Sequence, residues 1–261
     1  MKRLFVISLL ASLAFFTELF PQAVKSGENK MVLRGQEQII LFFPAAAISK
    51  RPGQIVLYVP GDRGMKGVAV TMAQTIASFG YDVFGLDTRH YLSSFTGKTT
   101  LKETEVMSDF RRIAEWMSPE SKRPVALVGW SEGAGLCLLA ASAAENKRTF
   151  SGLITLGLPE SNVLGWRLVD MLTYLTKKDP DEPSFKSIDY LAGVSPLPLV
   201  MIQSSQDDWV SLEAARKMFV VAGEPKRFIS IEARNHHFDG NTEEFYRSMR
   251  ESLQWIEEMS R

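Results

Sequence analysis

The chain has a single cysteine, Cys137, in 261 residues. One cysteine makes no intramolecular disulfide, so the fold must rest on its apolar core. Cys137 lies in Leu136-Cys137-Leu138-Leu139-Ala140, where a thiol behaves as a small buried hydrophobe. Histidine is scarce too: His90, His236 and His237, with no metal-ligand spacing around them. Neither a metal site nor a cofactor site is expected from such a set. Charge of one sign is not in excess, since 30 Lys+Arg balance 30 Asp+Glu. Without a basic surplus, nucleic acid is not an expected partner. Internal repeats and low-complexity tracts are absent, and no apolar run reaches the ~20 residues of a membrane span.

At the N-terminus, Met1-Lys2-Arg3 is basic and Leu4 to Phe16 is almost wholly apolar. Polar residues from Lys25 to Lys30 follow. This is the order of a secretory signal peptide, taken as residues 1–25, with cleavage near Ala23. Retention as an uncleaved anchor is the alternative. Either way the remainder, 26–261, is expected outside the cytoplasm, and a periplasmic location follows.

Beyond the leader, strand and helix patterns alternate. Strands are expected at Gln38–Phe43, Ile55–Val59, Asp82–Leu86, Pro124–Gly129, Gly152–Leu156, Pro198–Ile202 and Arg227–Ile231. Helices are expected at Val68–Phe79, Thr100–Met117, Gly133–Ala144, Ser211–Val221 and Thr242–Met259. The strand runs are apolar at nearly every position, as when both faces of a sheet are covered. The alternation predicts an α/β domain with a mostly parallel sheet flanked by helices. Residues 159–196 interrupt it without a strand pattern. They hold an amphipathic stretch, Gly165 to Leu175, and read as a small cap.

The strongest chemical signal is Gly129-Trp130-Ser131-Glu132-Gly133, between an apolar strand and a small-residue helix. A serine on so tight a turn stands above the sheet edge in a strained backbone, and flanking glycines remove side chains that would collide. Ser131 is therefore the expected nucleophile. Its hydroxyl needs a base. His236 and His237 follow the last strand, which should end at the same edge. His236, with Phe238 and Gly240 behind it, has the better phase, and His237 stays the alternative. His90 precedes the serine, which is the wrong order for this fold, and is read as structural or part of the rim. The acid is expected after the preceding strand, in Ser204-Ser205-Gln206-Asp207-Asp208-Trp209-Val210. Asp207 is favoured and Asp208 is the fallback. The oxyanion hole is assigned to the backbone N–H groups of Glu132 and of Asp62 in Pro60-Gly61-Asp62-Arg63-Gly64. Trp130, Trp209, Glu160 and Asp208 are candidate substrate contacts.

These parts resemble those of the α/β-hydrolase fold. Four segments, Gly61-Asp62-Arg63-Gly64, Leu86-Asp87-Thr88-Arg89-His90-Tyr91, Gly129-Trp130-Ser131-Glu132-Gly133-Ala134 and His236-His237-Phe238-Asp239-Gly240, resemble its VirJ-type branch. That group includes the C-terminal domain of AcvB. The resemblance runs from Ile55 to the C-terminus. It departs at Glu132, where the group tends to carry Phe, at Arg63, where it carries Gly, and in the acid loop, which lacks the usual Gly. The resemblance implies a periplasmic enzyme hydrolysing aminoacyl esters of phosphatidylglycerol, such as the lysyl ester, at a membrane surface. Asp62, Glu132, Glu160 and Asp208 would then face a cationic head group. A short-chain esterase, thioesterase or peptidase on the same residues, or a non-catalytic periplasmic assembly protein, are the other readings.

Overall fold

The computed structural model describes residues 25–47, 52–97, 101–119, 123–167 and 182–260. The proposed leader, apart from Lys25, and most of the amphipathic stretch (168–175) lie outside the described residues. No helix among the described residues is long and apolar enough to cross a membrane.

Eight strands form one sheet. They are β1 (Gly27–Leu33), β2 (Gln36–Phe43), β3 (Ile55–Val59), β4 (Val83–Leu86), β5 (Val125–Trp130), β6 (Phe150–Leu156), β9 (Leu199–Ser204) and β10 (Lys226–Ile231). The short strands β7 (Ser161–Val163) and β8 (Ser184–Lys186) pair separately. The order in the large sheet is β1-β2-β4-β3-β5-β6-β9-β10. From β4 to β10 all pairings are parallel, and β2 runs antiparallel to both β1 and β4. The mostly parallel sheet expected from the alternating pattern is present.

Successive side chains of the central strands point to opposite faces. Ile55, Leu57, Val59, Val125, Leu127, Leu199 and Met201 enter one core, with helices α3 (Glu103–Met117) and α4 (Glu132–Ser142). Val56, Tyr58, Ala126, Val128, Val200 and Ile202 enter the other, with α1 (Val68–Ser78) and the closing helix Thr242–Met259. In α3 the buried Val106, Phe110, Ile113, Ala114 and Met117 recur at helical spacing. In α4 every residue from Gly133 to Ala141 is buried, so the amphipathic pattern vanishes there.

The two expected ends of β2 and β10 each move by a residue or two, as helix and strand ends do. Three elements depart further. β1 was read as a polar stretch after the leader. It is an edge strand whose Glu28 and Lys30 are solvent-exposed or nearly so, joined to β2 by Arg34 (φ 48°) and Gly35 (φ 77°). Two consecutive positive φ values make the tight hairpin turn that matches strand twist. Helix α2 (Thr88–Phe95) begins where Asp87 accepts a hydrogen bond from the His90 N–H, an N-cap that the polar sequence conceals. Residues 159–196, expected to lack strands, carry the β7–β8 pair. Asn162 of β7 donates to Ser187 Oγ, which donates to the Pro159 carbonyl and closes that small unit.

The parallel register aligns the strand ends. Val59 lies opposite Gly129, Trp130 opposite Leu156, Leu156 opposite Ile202, and Ser204 opposite Ile231. The loops after β3, β5, β6, β9 and β10 therefore open at one edge, where sheets of this kind bind ligands.

Candidate active site

Ser131 joins β5 to α4 with φ 54° and ψ −126°, a region that ordinary side chains avoid at a cost of about 1–3 kcal/mol. Close packing on both sides imposes it. A Cβ at Gly129 would lie 2.5 Å from Ala134 Cα, and one at Gly133 would lie 2.0 Å from the Val59 carbonyl oxygen. Only glycine lets the strand, the turn and β3 approach so closely. The Ser131 N–H donates to the Leu156 carbonyl at 3.0 Å, tying the turn to the end of β6.

The loop after β9 buries the Asp207 carboxylate completely. Its Oδ1 accepts from the N–H groups of Trp209 (2.8 Å) and Val210 (3.0 Å). Its Oδ2 accepts from Gln203 Nε2 (2.9 Å) and pairs with His236 Nδ1 (2.7 Å). Burial alone would push this carboxyl up. The His236 hydrogen bond and charge, with the Val210 and Trp209 N–H groups, outweigh burial and hold it below the usual aspartate range. Asp208 does not meet the imidazole. It is exposed and accepts the His236 backbone N–H at 3.3 Å, so both acids of the pair steady the same histidine by different means.

The His236 ring is walled in. Trp130 stacks against it with centroids 6.2 Å apart. A Cβ at Gly157, where φ is +55°, would lie 2.5 Å from His236 Cε1 and 2.8 Å from Nδ1. Ser131 is thus bonded in sequence to one wall, Trp130, and in space to the residue before the other, Leu156. Behind the loop, buried Phe238 (φ 61°) stacks on Phe245 at 4.2 Å. His237 lies outside this pocket, edge-on to Trp130 at 5.1 Å. Burial, then the nearby His236, lower its pKa.

Gln203 and Gly157 carry no motif signal, and the sequence reading passed over both. Gln203 is buried and also donates to the Val210 carbonyl at 2.8 Å, so one amide spans the acid loop. Gln203→Leu is expected to lower kcat/KM for an ester about tenfold, a hydrogen bond to a charged group being worth about 1.5 kcal/mol. Kinetics in which kcat stays at the wild-type value would mean that Asp207 is held without it. For Gly157→Ala the added methyl must displace the imidazole, and a loss of about a hundredfold is expected. Retained activity with an unmoved His236 would contradict the wall described above.

The loop after β3 lies against the serine: a Cβ on Gly61 would sit 3.3 Å from Ser131 Cβ. It is braced from behind by the segment that opens α2. Thr88 Oγ1 donates to the Pro60 carbonyl at 2.6 Å, and Asp87 accepts the Met65 N–H at 3.2 Å. Gly64 (φ +73°) is needed here, since a Cβ would strike Asp87 Oδ1 at 2.3 Å. This bracing ties Leu86-Asp87-Thr88 to Gly61-Asp62-Arg63-Gly64 in space. Glu132 opens α4 beside the loop. Its carboxylate accepts from Ser131 Oγ at 2.8 Å. Burial and then the Asp62 charge raise its pKa, against the pull of its own backbone N–H, the Ser131 hydroxyl and His236.

The remaining candidates sit further out. Trp130 is buried behind the imidazole rather than open to solvent, and its indole Nε1 has no hydrogen-bond partner. Trp209 is 40% exposed beside the acid loop. Glu160 is exposed on the 159–196 segment, and its carbonyl accepts the Ser187 N–H. His90 bonds the Glu37 carbonyl at 2.8 Å on the β2 side of the sheet, a structural contact. Among the described residues no group of three His, Cys, Asp or Glu is arranged to hold a metal.

Comparison with known proteins agrees with this architecture. The α/β hydrolase GrgF from Penicillium sp. sh18 superposes with a TM-score of 0.66 at 14% identity, covering 89% of this chain and 99% of that one. Est1E from Butyrivibrio proteoclasticus gives 0.63 at 12% identity, covering 88% and 99%. A soluble variant of monoglyceride lipase from Saccharomyces cerevisiae gives 0.62 at 16% identity, covering 93% and 98%. At such identities the likeness is one of fold. No curated protein matches the chain in sequence. The family model described as bacterial virulence protein (VirJ) matches residues 53–256, a span that takes in every segment on which the resemblance rested. The chain has the α/β-hydrolase fold and belongs to the VirJ family.

Proposed function

We propose that this protein is a serine hydrolase that cleaves an ester through an acyl-enzyme on Ser131. The observation that carries the reading is the buried Asp207–His236 pair, 2.7 Å apart, walled in by Trp130, the residue before the strained serine, and by Gly157, the residue after the Leu156 that the serine N–H bonds. A dry carboxylate–imidazole pair costs stability unless its hydrogen bonds are satisfied.

In the proposed reaction Ser131 Oγ attacks the ester carbonyl carbon and its proton passes to His236 Nε2. The carbonyl π pair becomes an oxyanion held by the N–H groups of residues 62 and 132. Collapse expels the alcohol, which takes the proton from His236. Water then repeats the sequence on the acyl-enzyme. Asp207 fixes the imidazole with Nδ1 protonated and stabilises the imidazolium. The base must be neutral, so activity should rise with pH. A profile flat between about pH 5 and 8, with chemistry limiting, would contradict a histidine base.

We take the substrate to be an aminoacyl ester of phosphatidylglycerol met at a membrane surface after export. The family resemblance, the basic and apolar N-terminus and the negative charge of Asp62 and Glu132 beside the serine support this. A lysyl ammonium would offset the burial and the Asp62 charge that raise the Glu132 pKa. Lipid extracts and neutral acyl esters incubated with the protein and read by mass spectrometry test both levels. Loss of the lysyl ester supports the whole proposal. Cleavage of neutral esters, thioesters or peptides alone keeps the hydrolase and rejects the lipid. A folded protein that cleaves none of them rejects the enzyme.

A further inference from the structure

Ser131 does not engage its proposed base. The hydroxyl donates to Glu132 Oε2 at 2.8 Å, while His236 Nε2 is buried with no hydrogen-bond partner. The Glu132 backbone N–H, one of the two groups assigned to the oxyanion, pulls the pKa of the same carboxylate down. The carboxylate also lies near the loop that carries the other: a Cβ on Gly61, the residue before Asp62, would sit 3.7 Å from Glu132 Oε2. One side chain therefore holds the nucleophile's proton and sets a carboxylate oxygen beside the loop that carries an oxyanion donor. A negative oxygen there opposes, by charge and by volume, the negative oxygen that the reaction must create.

We propose that Glu132 gates the nucleophile: its carboxylate holds the Ser131 hydroxyl in a resting rotamer and covers the oxyanion donors until an incoming carbonyl displaces it. The inference rests on the triad reading. The Glu132 backbone N–H stays a donor whatever the side chain, so the gate can be removed while the oxyanion hole remains. The cost of the gate falls on the ground state, because the serine must leave a charged acceptor before it can reach His236.

A neutral alkyl fluorophosphonate reads the gate directly. Ser131 Oγ bonds to phosphorus, the P–F bond breaks, fluoride leaves and the serine proton passes to His236. The second-order labelling rate is measured on the full chain for wild type, Glu132→Gln and Glu132→Ala, with the melting temperature of each. Glu132→Ala is expected to label about tenfold faster than wild type, equal to about 1.4 kcal/mol of ground-state hold released. Glu132→Gln, which keeps an acceptor oxygen without the charge, should fall between. Equal or slower labelling in both variants overturns the gate, and slower labelling with lower melting temperatures would assign Glu132 a structural role instead. Absence of labelling in the wild type and in both folded variants overturns the triad reading, and the gate with it.

Discussion

Ser131→Ala is expected to lower kcat for ester hydrolysis about 10⁶-fold while leaving the fold intact, since the nucleophile is the one atom that forms the covalent bond. The backbone strain at φ 54° is imposed by Gly129, Gly133 and the β3 carbonyls, not by the serine side chain, so alanine fits the same turn. The effect should also be non-additive. His236→Ala alone should cost nearly as much, and the double variant little more, because base and nucleophile act as one unit. Two large and independent losses that multiply would mean that the residues serve separate steps. Substrate binding measured on Ser131→Ala should stay near the wild-type value, which separates chemistry from recognition.

Asp207→Asn is expected to cost about 10⁴-fold in kcat with little change in stability. The asparagine keeps the volume of the carboxylate and can still accept the Trp209 and Val210 N–H groups that bond Oδ1 at 2.8 and 3.0 Å. What it loses is the charge facing Nδ1 and a second oxygen. Its amide must either face the imidazole and the Gln203 donor where Oδ2 stood, fixing the wrong tautomer, or turn and set its NH2 against the Trp209 and Val210 N–H groups. Asp208→Asn is the control. Asp208 bonds only the backbone N–H of His236 at 3.3 Å, so a loss within about tenfold is expected there. A larger loss from position 208 than from 207 would reverse the assignment.

The fold was legible because parallel strands buried on both faces leave continuous apolar runs, as Val125 to Val128 and Leu199 to Ile202 do. The tight turn at Ser131 was legible because it tolerates only glycine at 129 and 133, and a steric demand of that kind is written in residue types. Asp207 over Asp208 and His236 over His237 could be favoured by phase alone, and it is Asp207 and His236 that pair. Polar partners were harder to read. Gln203 sits on an apolar strand with nothing to mark its amide as the donor to Asp207. Gly157 looks like any loop glycine until the His236 ring is placed against it. The Thr88 bond to Pro60 joins residues 28 apart, and the Asp87 bond to the Met65 N–H residues 22 apart, which no local pattern reports. Glu132 was assigned a role through its backbone N–H. That its side chain reaches back to the serine depends on the first turn of α4 and on the space left by Gly61.

The central claim is that Ser131 becomes acylated. Mixing the wild-type protein with a chromogenic acetate ester, quenching in acid within the first turnover and digesting the product isolates the intermediate. Mass spectrometry should find one acetyl group on the peptide containing Gly129-Trp130-Ser131-Glu132-Gly133, absent from Ser131→Ala and more abundant in a variant slow to deacylate. Turnover of the ester with no adduct at Ser131, or an adduct that survives in Ser131→Ala, would contradict the account.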